Sequence, residues 1–255
     1  KHVTIDARVT VGNRRHLMPF NAVFAQEVGY RGKDRISWIL LTTAPTETFE
    51  QAKAVVAGYA SRWKIEEFHR ILEEIAPGEI ELVGLDQFPD LADVEETGAT
   101  FEENALLKAR QMSAATGLPA IADDSGLCVD ALGGDPGIFS ARWSGVHGDD
   151  EANLQKVLDQ IKDVPDADRT AYFICVAALV LVDGDSHCEE GRFHGRLLHH
   201  PVGENGFGYD PIFAPDGYSI SSGQMSAADK DAISHRGKAL RAIAPHVRKM
   251  VAELG

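Results

Sequence analysis

The run Ala171–Val182, A-Y-F-I-C-V-A-A-L-V-L-V, constrains this chain more than any other stretch. It is rich in β-branched and aromatic residues, and its apolar side chains do not alternate with polar ones. Such a strand has to be covered on both faces. Residues 100–116 and 151–162 read as helices, and a second strand near 191–198 is placed to pair with the apolar run across the D-G-D turn at 183–185. I-E-L-V-G at 80–84 reads as a strand, and P-A-I-A at 119–122 as a short one ending at Asp123-Asp124-Ser125-Gly126. The last helix holds Lys238, Leu240, Ile243 and Val247, with Pro245 as an expected bend. Short apolar runs alternating with helical segments predict an α/β fold.

A chain of 255 residues with 44% hydrophobic side chains is long enough to bury a core and is not disordered throughout. Its 39 carboxylates against 25 Lys plus Arg give a net charge of -14. That balance makes nucleic acid an unlikely partner for the chain as a whole and requires a local basic pocket or a metal for any phosphate ligand. No apolar run approaches the ~18 residues of a membrane-spanning helix, and the beginning lacks the sectors of a signal peptide. The expected location is the cytoplasm. Cys128, Cys175 and Cys188 are odd in number and form no C-x-x-C pair, against a disulfide framework or a zinc site. A start at Lys1 rather than Met reads as processed, truncated or excised.

The charge is unevenly divided. Residues 1–70 carry 11 basic and 7 acidic side chains, whereas 71–255 carry 14 and 32. The division expected from this break is 1–70 and 71–255. The first segment reads as strands at 3–11, 18–28 and 36–43, followed by a helix from Thr46 to about Ile75. Phe49, Ala52, Val56, Tyr59 and Trp63 form one apolar stripe, and Ile65, Phe68, Leu72 and Ile75 a second, two residues out of step. Two residues turn a helix by about 200°. The stripe therefore changes sides, as at a joint between two sequence origins or in a long helix buried on two faces. The stretches I-S-W-I-L-L-T-T, T-F-E-Q-A and Y-A-S-R-W-K-I-E-E-F-H-R resemble the C-terminal part of the catalytic core of DDE-type transposases. Tyr59, Arg62 and Glu66 match that signature, but Glu73 stands where a Lys is expected and the two partner aspartates are missing. Two-metal phosphoryl transfer needs several carboxylates, so the resemblance implies a segment without its activity.

Four groups in 71–255 carry chemistry. Glu95-Glu96-Thr97-Gly98 leads into F-E-E-N-A-L-L-K-A-R, where Asn104 and Lys108 sit four apart on one helix face, as a phosphate pocket requires. The adjacent carboxylates of Asp123 and Asp124 suit Mg²⁺, which prefers oxygen ligands shared with substrate phosphates; the alternative is an Asp-rich turn. G-E-N-G-F-G-Y-D-P-I-F, 203–213, interleaves glycines with aromatics, so that Phe207 can stack on a flat ligand and Asp210 can accept from a base edge. Lys230 and I-S-H-R-G-K, 233–238, make a basic patch after a capping-box-like start at Ser226 and Asp229. Each group alone also reads as ordinary turn, core or surface chemistry.

Together, E-E-T-G-x-T-F-x-E-N-A-x-x-K-A-R, A-D-D-S-G-L-x-V-D-A-L-G-G-x-P-G-I-F-S-A-R, G-F-G-Y-D-P-I-F and I-S-H-R-G-K-A-L resemble the inosine triphosphate pyrophosphatase family over 71–255. The resemblance implies an elongated, two-lobed α/β fold with a mixed sheet, a homodimer, Mg²⁺ as cofactor and hydrolysis of ITP, dITP and XTP to monophosphate and pyrophosphate. It implies Asp124 as the main catalytic acid with Asp123 and Glu96 beside it, Mg²⁺ at Glu96 and Asp124, and phosphates held by Asn104, Lys108 and Lys230, with Ser125 adjoining. Phe207 would stack on the purine, while Asp210, His235 and Arg236 would read its 6-oxo edge. Family members begin with a strand and a phosphate-gripping Thr/Ser-x-Asn-x-x-Lys loop. Here Ser61 and Lys64 fall at its Asn and Lys positions, and residues 47–75 either stay helical or refold as strand and loop. A catalytically silent fusion, or a transposase remnant with residual DNA binding, is the rival reading. His187, Cys188, His194, His199 and His200 lack a recognised metal-site spacing, and no G-x-S-x-G elbow occurs.

Overall fold

In a computed structural model, described residues comprise the backbone of three N-terminal strands, Val83, Phe88 and residues 94–254. The chain divides into two compact units, Lys1–Glu66 and Glu67–Gly255. In the first, β1 (His2–Val11), β2 (Arg14–Gln26) and β3 (Ser37–Thr42) form an antiparallel sheet in that order, with Val11 opposite Arg14 and Asn21 opposite Thr42. The expected helix at 46–75 lies outside the described residues. So does the expected strand at 80–84 apart from Val83, which is in no strand.

The second unit has a mixed α/β fold with an antiparallel sheet ordered β4 (Ala120–Val129), β5 (Thr170–Val180), β6 (Ser186–Leu197), β7 (Phe213–Pro215). Its helices are α1 (Phe101–Thr116), α2 (Asp150–Gln160), α3 (Ala227–Ile233) and α4 (His235–Leu254). The apolar run forms β5, and both of its faces are covered. Val176, Ala178 and Val180 meet Ala105 and Ala109 of α1. Cys175, Ala177 and Leu179 meet Ala239, Leu240 and Ile243 of α4. Truncating a side chain as buried as Ile243 to Ala costs roughly 2–5 kcal/mol. The strand stops at Val180, short of the expected 182, because Leu181 begins the turn, donating to Asp185 O and accepting from Gly184 N.

The sequence reading of β4 needs correction. Rather than ending before Asp123, the strand continues through Asp123–Gly126 to Val129, paired in full register from Ala120 opposite Val180 to Val129 opposite Ala171. Turn chemistry is overridden because the ladder to β5 gives the backbone groups on that side partners and each face offers a cation to one carboxylate. Successive strand residues point to opposite faces. Asp124, opposite Val176, faces α1; Asp123, opposite Ala177, faces α4.

Helix α1 starts one residue inside the expected 100–116, and α2 ends two residues short of the expected 162. Thr100 caps α1 by accepting from Glu103 N (3.1 Å), Glu102 and Glu103 favour its positive end, and Gly117 closes it. Ser226 caps α3 by accepting from Asp229 N. Helix α4 runs through Pro245 and stays helical. It starts so close to β6 that a Cβ on Gly191 would lie 2.1 Å from His235 O, which explains a glycine in mid-strand.

Candidate active site

The acidic group lies where α1 meets β4. Lys108 comes from the second turn of α1, and its Nζ stands between two carboxylates, 2.8 Å from Asp124 Oδ1 and 3.1 Å from Glu96 Oε1. Arg142 closes the row, with Nη1 2.8 Å from Glu96 Oε2. Four charges thus alternate in sign. Burial raises the Asp124 carboxyl above its ordinary range and the nearby Glu96 charge adds to this, while Lys108 and Asn104 partly offset both. Burial also works on Glu96, but Arg142 and Lys108 prevail and hold it low. Burial would lower Lys108, yet its two carboxylates keep it raised and charged.

Asn104 is fully buried, accepts from Gly98 N (2.8 Å) and donates to Asp124 Oδ2 (3.3 Å). Its amide therefore orients the carboxylate and fixes the chain entering α1.

Asp123 lies on the other face of the sheet. Its Oδ2 accepts from Arg236 Nε (3.1 Å), Arg236 Nη2 (3.0 Å) and Ser125 Oγ (2.8 Å). Burial opposes its charge, but Arg236, Ser125 and the Lys108 charge outweigh that and hold the carboxyl well below the usual carboxylate range. Asp123 is therefore turned away from Asp124, and Ser125 shares its face. The two aspartates, expected beside one another, lie on opposite faces of the sheet, because successive residues of a strand point to opposite sides.

His235 is buried and stacks on Phe173, with ring centres 5.0 Å apart and planes at 13°. Its Nδ1 is buried without a hydrogen-bond partner among the described residues. Burial, followed by the Arg236 and Lys230 charges, lowers its pKa well below the ordinary value, so the imidazole is neutral at pH 7. Lys230 contacts Asp210 and stands 5.1 Å above the centre of the half-exposed Phe207 ring. Asp210 is buried, and the same Oδ2 that meets Lys230 also accepts from Phe207 N (2.9 Å), so this oxygen ties the loop together. Further ties set this loop: Gly208 N donates to Asp150 (3.0 Å), and Tyr209 Oη donates to Ser140 O (2.8 Å).

Three groups therefore result: Asp124 with Lys108, Asn104 and Glu96; Asp123 with Ser125 and Arg236; and Lys230 with Asp210 and Phe207. His235 links the last two, because the charges of Asp123, Arg236 and Lys230 all act on it. The Lys108 charge links the first two by acting on Asp123. Two surface cavities of about 260 and 310 Å³ lie elsewhere, the first beside Arg169 and His199, the second beside Tyr218 and Met225. Lys64 and Ser61 lie outside the described residues.

Arg142, Ser140 and Tyr209 escaped sequence reasoning as site residues. The first two stand in P-G-I-F-S-A-R, and no local spacing links Arg142 to Glu96, 46 residues away. The histidines around 187–200 are dispersed. His187 stacks on His246 and His199 pairs with Asp166. Among the described residues no group of three or more His, Cys, Asp or Glu is placed to hold a metal.

Comparison with known proteins decides the kinship, since residues 60–246 match the Ham1 family. The chain belongs to the Ham1 family. It is 58% identical over 171 residues to a dITP/XTP pyrophosphatase of Streptomyces avermitilis, covering 67% of this chain and 86% of that one. It resembles the crystal structure of a nucleoside-triphosphatase, dITP/XTP pyrophosphatase, from Mycobacterium abscessus, with a TM-score of 0.62, 49% identity and coverage of 72% of this chain and 94% of that one. A HAM1 protein of Coxiella burnetii gives a TM-score of 0.66 at 38% identity, over 72% of this chain and 94% of its own. The Ham1 match begins eleven residues before the division expected at residue 71.

Proposed function

We propose that this Ham1-family chain hydrolyses ITP, dITP and XTP to the monophosphate and pyrophosphate with Mg²⁺. The observation that carries the reading is the Lys108 ammonium seated between Asp124 and Glu96. Two oxygen ligands already arranged around a cation suit a hard divalent ion, which commonly takes one or two carboxylates together with substrate phosphates. Glu96 and Asp124 would hold it, and when bound it would supply charge neutralisation at the phosphates.

The chain's own residues do the rest. Asp124, oriented by Asn104 and raised by burial, positions the attacking water and accepts its proton. Lys108 swings from the carboxylates to a phosphate, where its charge meets the charge that develops on pyrophosphate as it leaves. Lys230 supplies a second cation, and Phe207 stacks on the purine beside it. The Nδ1 of His235, unpartnered among the described residues, and the guanidinium of Arg236 read the 6-oxo edge. A 6-amino purine would leave those donors facing donors, a mismatch costly in a buried site.

The residues ahead of the Ham1 match, which begins at 60, are proposed as a segment of separate origin, with Lys64, at the Lys position of the family's phosphate loop, giving a partial grip and a raised KM. The active form is proposed as a homodimer. A second reading, a silent fusion or transposase remnant that binds DNA, draws support from the net positive charge of 1–70. Incubation with ITP, XTP and ATP plus Mg²⁺ separates the two. Pyrophosphate release from ITP and XTP well above that from ATP, and above Asp124→Asn, is the expected result. Release no greater than that of Asp124→Asn, with a salt-sensitive duplex-DNA shift, would leave the second reading standing.

A further inference from the structure

Glu96 lies in the irregular stretch before α1, where no backbone ladder dictates its direction. Two cations place it, Lys108 on Oε1 and Arg142 on Oε2. Under the function proposed above, on which this inference rests, one of the two departs when substrate arrives. We propose that Arg142 is the positioning residue of this site, holding Glu96 turned toward Asp124 once Lys108 has moved to a phosphate.

The two cations are built for different tasks. Lys108 is a point charge on a flexible stem, able to exchange one set of oxygens for another. Once it leaves, Asp124 and Glu96 face each other as like charges, and an unanchored Glu96 would turn to water. Arg142 prevents this because it sits on a fixed support. It ends the short helix Gly137–Arg142, which is pinned to β4 through Ser140, whose Oγ donates to Gly137 O (2.6 Å) and accepts from Leu127 N (2.9 Å). The helix fits against β4 only because residue 126 is glycine, where a Cβ would meet Gly137 O at 2.3 Å. The guanidinium also lies 5.4 Å from the centre of the Phe139 ring, which limits its freedom further. Tyr209 Oη donates to Ser140 O, so the same support carries the loop that presents Phe207. The anchor of the acidic row and the purine platform therefore share one short helix.

The role predicts a change in metal affinity and not merely in rate. The full chain is titrated with Mn²⁺ in the presence of non-hydrolysable α,β-methylene inosine triphosphate, and bound Mn²⁺ is followed by electron paramagnetic resonance. Arg142→Met is expected to weaken Mn²⁺ binding ten- to a hundredfold, about the range for losing an orienting partner of a metal ligand. Arg142→Lys should recover part of the loss, because it restores the charge but not the planar fork. Glu96→Gln should bind at least as poorly as Arg142→Met. Parental affinity in Arg142→Met beside weakened Glu96→Gln overturns the inference and leaves the proposed function intact. Parental affinity in Glu96→Gln overturns the metal assignment and the inference with it. Thermal unfolding accompanies each titration; if Arg142→Met does not fold, Arg142→Lys decides, with weakened binding supporting the role and parental binding refuting it.

Discussion

Asp123 and Asp124 are neighbours in the chain and opposites in environment. One faces α4, and Arg236 and Ser125 help hold its carboxyl low; the other faces α1, is raised by burial, and is touched by Lys108. A single peptide unit thus separates a carboxylate paired with an arginine from the one to which the proposed function gives the chemistry. The pleat of β4 makes this possible, because it sends the two side chains to different layers, each with its own electrostatics. Two carboxylates whose environments push their pKa values apart are a recurring basis for assigning separate roles.

The widest expected separation between them is kinetic. Asp124→Asn should lower pyrophosphate release by about 10²–10⁴-fold, the range for losing a general acid or base, with little change in unfolding midpoint. Asp123→Asn should do the reverse in emphasis. It leaves the Arg236 guanidinium without its carboxylate, and breaking one partner of a buried pair costs about 3–5 kcal/mol, measurable by urea denaturation. Equal losses of stability in both variants would erase the distinction.

A pH series sharpens it. His235, on the Asp123 side, has a pKa held well below the ordinary 6.5, so below pH 6.5 the unfolded chain binds a proton that the folded one does not. Stability should therefore fall as pH drops from 6.5, by at most about 1.4 kcal/mol per pH unit from this group. In His235→Phe the fall between pH 6.5 and 5 should be shallower by that slope; an unchanged slope would mean that the imidazole is not held neutral. Smallest is Tyr209→Phe, which removes one hydrogen bond to Ser140 O worth about 1 kcal/mol. Several-fold higher KM at nearly unchanged kcat is the expected signature in a nucleotide titration.

The layers of the second unit were legible because β5 has no polar side, and a strand of that kind forces a helix onto each face of the sheet. Helix α1 was legible from the four-residue spacing of Asn104 and Lys108, which indeed share the face toward Asp124. The continuation of β4 was not, because Asp-Asp-Ser-Gly is turn chemistry until the ladder to β5 is known. Nor was the split between the two aspartates, which follows from strand direction and not from residue type. The burial of Asn104 and Asp210 and their bonds to Asp124 and Phe207 were not legible either, because they depend on what packs over each side chain. Arg142 was hidden by distance, since its bond to Glu96 spans 46 residues.

In the proposed hydrolysis the water positioned by Asp124 attacks the α-phosphorus, and pyrophosphate leaves. Hydrolysis of ITP by the full chain in ¹⁸O-enriched water, with both products analysed by mass spectrometry, tests it directly. The label is predicted in the monophosphate and not in the pyrophosphate, with Asp124→Asn giving neither labelled product at a comparable rate. Label in the pyrophosphate, or undiminished labelling by Asp124→Asn, would contradict it.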